Sequence, residues 1–269
     1  MPSRSTVSAP VADQSPPRLL VVVAHPDDET FGCGSILRRA ADEGMVTAVL
    51  CATRGEAGES AIDVAPGELA SVREAETRAA GEVLGVSQIE FLDFQDSGMS
   101  GPAGQATLVA APINEVAQQI RERVAAFRPD VVVTLDAGDG HRDHAHIRDA
   151  TLAAVDSADW KVARVYLQCL PQSLMRRWVD YMAANDPSWE HLTGEMPGTP
   201  DESITAALDT SGCYEERLRA IALHASQRSP FEGLPEDLRR AFLTRDSLIQ
   251  ARPVWPGGPV ETALLPGNG

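Results

Sequence analysis

Two short segments of this 269-residue chain carry side chains that could do chemistry together: His25-Pro26-Asp27-Asp28-Glu29 and His141-Arg142-Asp143-His144. A histidine beside clustered carboxylates is a ligand set for a borderline or hard metal ion. Two histidines and one carboxylate can hold zinc while leaving a coordination position open, and His25, Asp28 and His144 are the expected set. Metal-dependent hydrolysis needs an activated water, a stabilised oxyanion and a proton for the leaving group, and the remaining groups of the two segments could supply them. The competing reading of Asp27, Asp28 and Glu29 is electrostatic, three acids at a helix N-terminus. The histidine in front of them and the second segment downstream weigh against it.

These segments need a fold that brings distant residues together. The apolar run Leu19–Ala24 leads into the first segment, and Asp130–Leu135 precedes the second. Continuous Val/Leu runs of this length are expected of strands buried on both faces of a parallel sheet. Further strands are predicted at Val46–Ala52, Ile89–Leu92 and Val162–Gln168. Helices are predicted at Thr30–Glu43, Glu68–Leu84, a stretch through Ile113 and Phe127, Glu215–Ala225 and Glu236–Phe242. The alternation implies an α/β fold, a Rossmann-like, mostly parallel sheet with helices on both faces. Ligands of such sheets sit at the carboxyl ends of the strands. Two long polar loops, Arg54–Gly67 and Phe94–Ala106, fall at that edge. Trp178–Ser203 reads as irregular.

Composition narrows the partners. A net charge of −16 argues against nucleic acid or an anionic membrane, both of which need clustered Lys and Arg. No apolar stretch reaches transmembrane length. With 43% hydrophobic residues the chain can build one sizeable core. We expect a disordered leader over 1–17, a single catalytic domain over 18–252 and an extended surface tail over 253–269. The four cysteines, Cys33, Cys51, Cys169 and Cys213, are far apart, as expected of buried thiols in a reducing cytoplasm. His146 and His224 read as structural histidines, and His191 as a surface loop residue.

The motifs resemble those of the PIG-L/LmbE-like zinc-dependent de-N-acetylases. The hallmark A-H-P-D-D-E is present without a mismatch as Ala24–Glu29, and H-x-D-H as His141–His144. Thr53-Arg54-Gly55-Glu56-Ala57-Gly58, Arg73-Glu74 and His224-Ala225-Ser226-Gln227 are weaker matches. Asp96-Ser97-Gly98-Met99 is similar to a loop of the deacetylase of mycothiol biosynthesis. The resemblance implies zinc on His25, Asp28 and His144, though the ligands also suit iron. It implies Asp27 as base, His141 as oxyanion donor and general acid, and Asp143 as the partner of a histidine. Arg73, Asp96 and Glu56 are the implied substrate contacts. Three departures stand out. Asp139 occupies the position of a tyrosine that assists the oxyanion in the mycothiol-pathway deacetylase, and Gly32 that of a lysine in amidases of mycothiol conjugates. Arg142 replaces a proline and could attract an acidic substrate group or pair with Asp139 or Asp143.

The expected function is removal of an N-acyl group, acetyl in the first instance, from a small amino-sugar-type substrate in the cytoplasm. A homo-oligomer is compatible with the sequence. The alternatives are a zinc amidase of another amide, in a secondary-metabolite or thiol-conjugate pathway, and a non-catalytic sugar-binding relative.

Overall fold

The computed structural model describes residues 15–185 and 196–265. Most of the expected leader, His191 and the last residues of the tail lie outside the described residues. Seven strands form one sheet: β1 (Arg18–Val23), β2 (Val46–Cys51), β3 (Gln88–Phe91), β4 (Val131–Leu135), β5 (Arg164–Cys169), β6 (Ala206–Asp209) and β7 (Arg245–Arg252). Their order is β3-β2-β1-β4-β5-β7-β6. The five strands from β3 to β5 are parallel, whereas β7 runs antiparallel to both β5 and β6. Among the described residues eight α-helices accompany them: α1 (Asp28–Phe31), α2 (Gly34–Asp42), α3 (Leu69–Leu84), α4 (Ile113–Phe127), α5 (Arg142–Asp156), α6 (Gln172–Asn185), α7 (Tyr214–Leu223) and α8 (Glu236–Leu243). Helices α4 and α5 pack together against β1, while α2, α3 and α7 form the other layer.

Strands β1 and β4 owe their central place to composition. Leu19, Val21, Val22, Val23, Val131, Val132 and Val133 are all fully buried, as continuous apolar strands between two helical layers must be. Burying each such side chain stabilises the fold by about 1.5–3 kcal/mol before entropy is counted. The chain leaves β1 towards β2 on one side and returns from β3 to β4 on the other. The topological switch point therefore lies between β1 and β4.

The structure corrects three expectations. The helix expected over Thr30–Glu43 is broken at Gly32-Cys33, whose amides both turn back to Asp28 O at 2.9 and 3.2 Å. Trp178–Asn185 is helical, not irregular, because it continues α6. Leu174, Met175, Trp178, Tyr181 and Met182 recur at helical spacing and pack on a second apolar cluster around Leu234, Leu238 and Phe242. The antiparallel pair β6–β7 was not foreseen. The segment after β7 carries Glu261, which bridges to Ala206, and Leu264, which is buried; Tyr166 donates its hydroxyl to Glu261 at 3.0 Å.

Candidate active site

The first segment begins two residues beyond β1, and its backbone is unusual at one position. Asp27 has φ 127° and ψ −35°, a conformation that costs a non-glycine residue of order 1–3 kcal/mol. Its surroundings hold it there. Its N–H donates to Glu29 Oε2 at 2.9 Å, and its carbonyl accepts from Thr30 and Phe31 at 2.9 and 2.6 Å. Glu29 is fully buried and takes a second support from His224 Nε2 at 2.9 Å. Although burial alone would lower the His224 pKa, its hydrogen bond to Glu29 raises it. Gln227 adds a hydrogen bond to Pro26 O at 2.6 Å. The strained turn aims the Asp27 and Asp28 side chains away from β1 into the crevice.

The second segment opens α5. His141 is its N-cap, and its Nδ1 accepts the Asp143 N–H at 3.1 Å. That bond fixes the tautomer: in the neutral ring the proton sits on Nε2, which is left as a donor. Burial, followed by the charges of His25 and His144, lowers the His141 pKa and keeps the ring neutral.

The two segments meet across the switch point. The His25 and His141 ring centroids are 4.6 Å apart, and those of His141 and His144 are 4.7 Å apart. Asp28 lies between His25 and His144, with Oδ2 3.6 Å from His25 Nδ1 and Oδ1 3.3 Å from His144 Nε2. The outer nitrogens are held by other carboxylates. His25 Nε2 is 3.0 Å from Asp143 Oδ2 and 3.4 Å from Asp96 Oδ1, and His144 Nδ1 is 2.6 Å from Asp139 Oδ2. A carboxylate on the far nitrogen directs the lone pair of the near one inward, the arrangement that supports metal-ligating histidines. The carboxylates also make the pocket favour positive charge. Burial opposes protonation of His144, but Asp28 and Asp139 overcome it and raise its pKa to about 10. Burial would likewise raise the Asp28 pKa, yet His144 and His25 hold it well below the usual carboxylate range. A divalent cation suits the charge of this cluster, in which Asp28 touches both His25 and His144. His141 is near enough to complete a three-histidine group with His25 and His144. Next to the group, burial and then the Asp28 charge lift the Asp27 carboxyl to about 7.

The polar loops close over this cluster. Asp143 is fully buried and accepts Ser97 N–H at 2.9 Å, which ties the loop after β3 to α5. Asp96 accepts Gly98 N–H at 2.8 Å, and its own N–H donates to Glu56 Oε1 at 3.2 Å. Asp96 therefore stands beside His25, and the exposed Glu56 holds the Asp96 backbone. Arg73 is 5% exposed and holds the loop after β2 through Gly55 O at 2.5 Å and Glu59 O at 3.0 Å. Arg142 pairs with neither Asp139 nor Asp143. Its guanidinium is wrapped by the carbonyls of Ser97, Gly98, Ser100 and Gly101 and braces that loop. Sequence reasoning missed the part of Asp139, which it treated as a lost tyrosine or a partner of Arg142, and the Glu29–His224 pair. The carboxylate two residues before His141 was the one available signal for the former.

Histidines of both segments gathered around a central aspartate, at the switch point of an open sheet, form a group that could hold a metal ion and activate water for hydrolysis. The comparisons agree with this class. The GlcNAc-PI de-N-acetylase family, PIG-L, matches residues 20–155, and the chain belongs to this family. A relative from Kineococcus radiotolerans, 1D-myo-inositol 2-acetamido-2-deoxy-alpha-D-glucopyranoside deacetylase, is 35% identical over 90% of this chain and 76% of its own length. Among solved structures, a conserved protein from Thermus thermophilus superposes with TM-score 0.61 at 24% identity, covering 91% of this chain and 99% of its own. The hydratase GalB from Pseudomonas putida, which acts on 4-carboxy-2-hydroxymuconate, gives TM-score 0.60 at 18% identity over 90% of this chain and 99% of its own. The fold alone thus does not fix the reaction, and the site must.

Proposed function

We propose that the protein is a zinc-dependent N-deacylase of an amino-sugar-type small molecule, with acetyl as the simplest acyl group. His25, Asp28 and His144 hold the zinc, which supplies Lewis acidity towards water and the amide oxygen. Asp27, with its pKa near 7, removes a proton from the attacking water. The Nε2–H of His141 faces the developing oxyanion and hydrogen-bonds the leaving nitrogen, which receives the proton that Asp27 took from water as the C–N bond breaks. Asp143 and Asp139 keep His25 and His144 oriented. Water adds its hydroxyl to the acyl carbon, the C–N bond breaks, and the products are a carboxylate and a free amine. Asp96 and Glu56 receive sugar hydroxyls at the rim, and Arg73 serves the substrate through the loop that it braces. The four cysteines, all free and buried, suit a cytoplasmic setting. Among the described residues no helix is long and apolar enough to cross a membrane.

The observation that supports this reading most is the pairing of both outer histidine nitrogens with carboxylates while the inner ones face Asp28. The test is metal content measured together with fluorescamine detection of free amine, on a panel of N-acylated amino sugars. Amine release that rises with bound zinc is the expected result. Full zinc occupancy with no release from any member of the panel would refute the reading.

A further inference from the structure

A cavity of about 560 Å³ opens off the site, with Asp27, Asp28 and His144 at its inner end. Its wall is largely apolar and includes Phe31, Leu170, Leu174, Met175, Trp178 and Phe231. Several charged groups it reaches are already paired, while Arg245 stands at its exposed edge. Arg217 meets Asp246 at 3.1 Å, and Asp136 accepts from Gly138 N–H at 2.7 Å and from the Thr199 hydroxyl. Little on this wall can bind a ring of hydroxyls. His141, Asp96, Glu56 and Arg73 do not line the cavity. The site is therefore two-sided, with polar groups and the donor to the leaving nitrogen on one side and an apolar chamber on the other.

An amide carbon has two substituents, the nitrogen and the acyl residue. If the nitrogen lies by His141, the acyl residue points into the chamber. An acetyl methyl would touch only its inner end. Cavities of roughly 300–1,000 Å³ enclose ligands of drug size, so the chamber has room for a much longer group. We propose that the site takes apolar N-acyl chains of medium length and hydrolyses them faster than acetyl. This rests on the N-deacylase reading above and names the acyl class within it.

The test is kcat/KM of the zinc-loaded enzyme on N-acetyl, N-butanoyl, N-hexanoyl and N-octanoyl glucosamine, with the octyl glycoside of N-acetylglucosamine as a control. Burial of each added methylene should raise kcat/KM about fourfold until the chamber is filled. Leu174→Trp, which shortens the chamber, should lower the octanoyl-to-acetyl ratio by at least about tenfold, a ratio that cancels losses in folded protein. Isothermal calorimetry supplies a readout independent of the amine scaffold: octanoate should bind at least about a hundredfold more tightly than acetate. Amine release that is fastest from the acetyl compound would overturn the proposal and leave the N-deacylase reading standing. A gain from the octyl glycoside but none from longer acyl chains would also overturn it, assigning the chamber to the amine side. Equal binding of octanoate and acetate would do the same even if no glucosamine derivative is turned over.

Discussion

Replacing Asp139 by asparagine separates a metal-supporting carboxylate from a residue that merely fills the place of a tyrosine. Asp139 Oδ2 meets His144 Nδ1 at 2.6 Å, a charge-assisted distance, and the side chain is about half exposed at 49%. Asparagine keeps the shape but can present its amide nitrogen to His144, and it removes the charge that helps raise the His144 pKa to about 10. Loss of such an outer carboxylate typically weakens metal binding by about 10–100-fold. Solvent screening at a half-exposed position places this variant near the lower end, about tenfold, or about 1.4 kcal/mol. Asp143→Asn is the internal comparison. Asp143 is fully buried at 3.0 Å from His25 Nε2, so its loss should reach the upper end, about a hundredfold. Zinc affinity measured by competition with a chromophoric chelator gives both numbers. An Asp139→Asn variant that binds zinc as wild type does, or a reversed order of the two variants, would refute the assignment of their roles.

Asp27→Asn should keep zinc at one per chain while kcat falls by about 10²–10⁴-fold, the usual worth of a general base; wild-type turnover would remove Asp27 from that role. His144→Ala should lower bound zinc well below one per chain in metal analysis, and full occupancy would shift the ligand set towards His141. Asp246→Ala leaves Arg217 charged and unpaired where both side chains are 2% exposed, so urea unfolding should show a loss of about 3–5 kcal/mol. Arg73→Ala removes two charge-assisted bonds that hold the loop after β2, a loss of about 2 kcal/mol seen as a melting temperature lower by roughly 4–8 °C.

The sheet and the positions of the site were legible because they follow from local pattern. Leu19–Ala24 and Asp130–Leu135 can hardly be anything but buried parallel strands, and the parallel topology sends both of their carboxyl ends to one crevice. The helix over Trp178–Asn185 was also written in the spacing of Leu174, Trp178, Tyr181 and Met182, but Asn185 and the Gly/Pro-rich stretch beyond it obscured the signal. The β6–β7 pair was hidden for a different reason. Arg245–Arg252 alternates too weakly to announce a strand, and its partners β5 and β6 are set by packing across the far edge of the sheet.

The sequence by itself pointed to the two histidine–aspartate segments as the candidate site, because they carry their meaning in residue type and close spacing. The tertiary structure alone decided which nitrogen of each histidine faces inward, that Asp139 serves His144, and that His224 supports Glu29 across 195 residues of chain. It alone decided that the site has an apolar side. Those features arise from contacts between residues far apart in the chain, and only the packing of the two helical layers on the sheet brings them within a few ångströms.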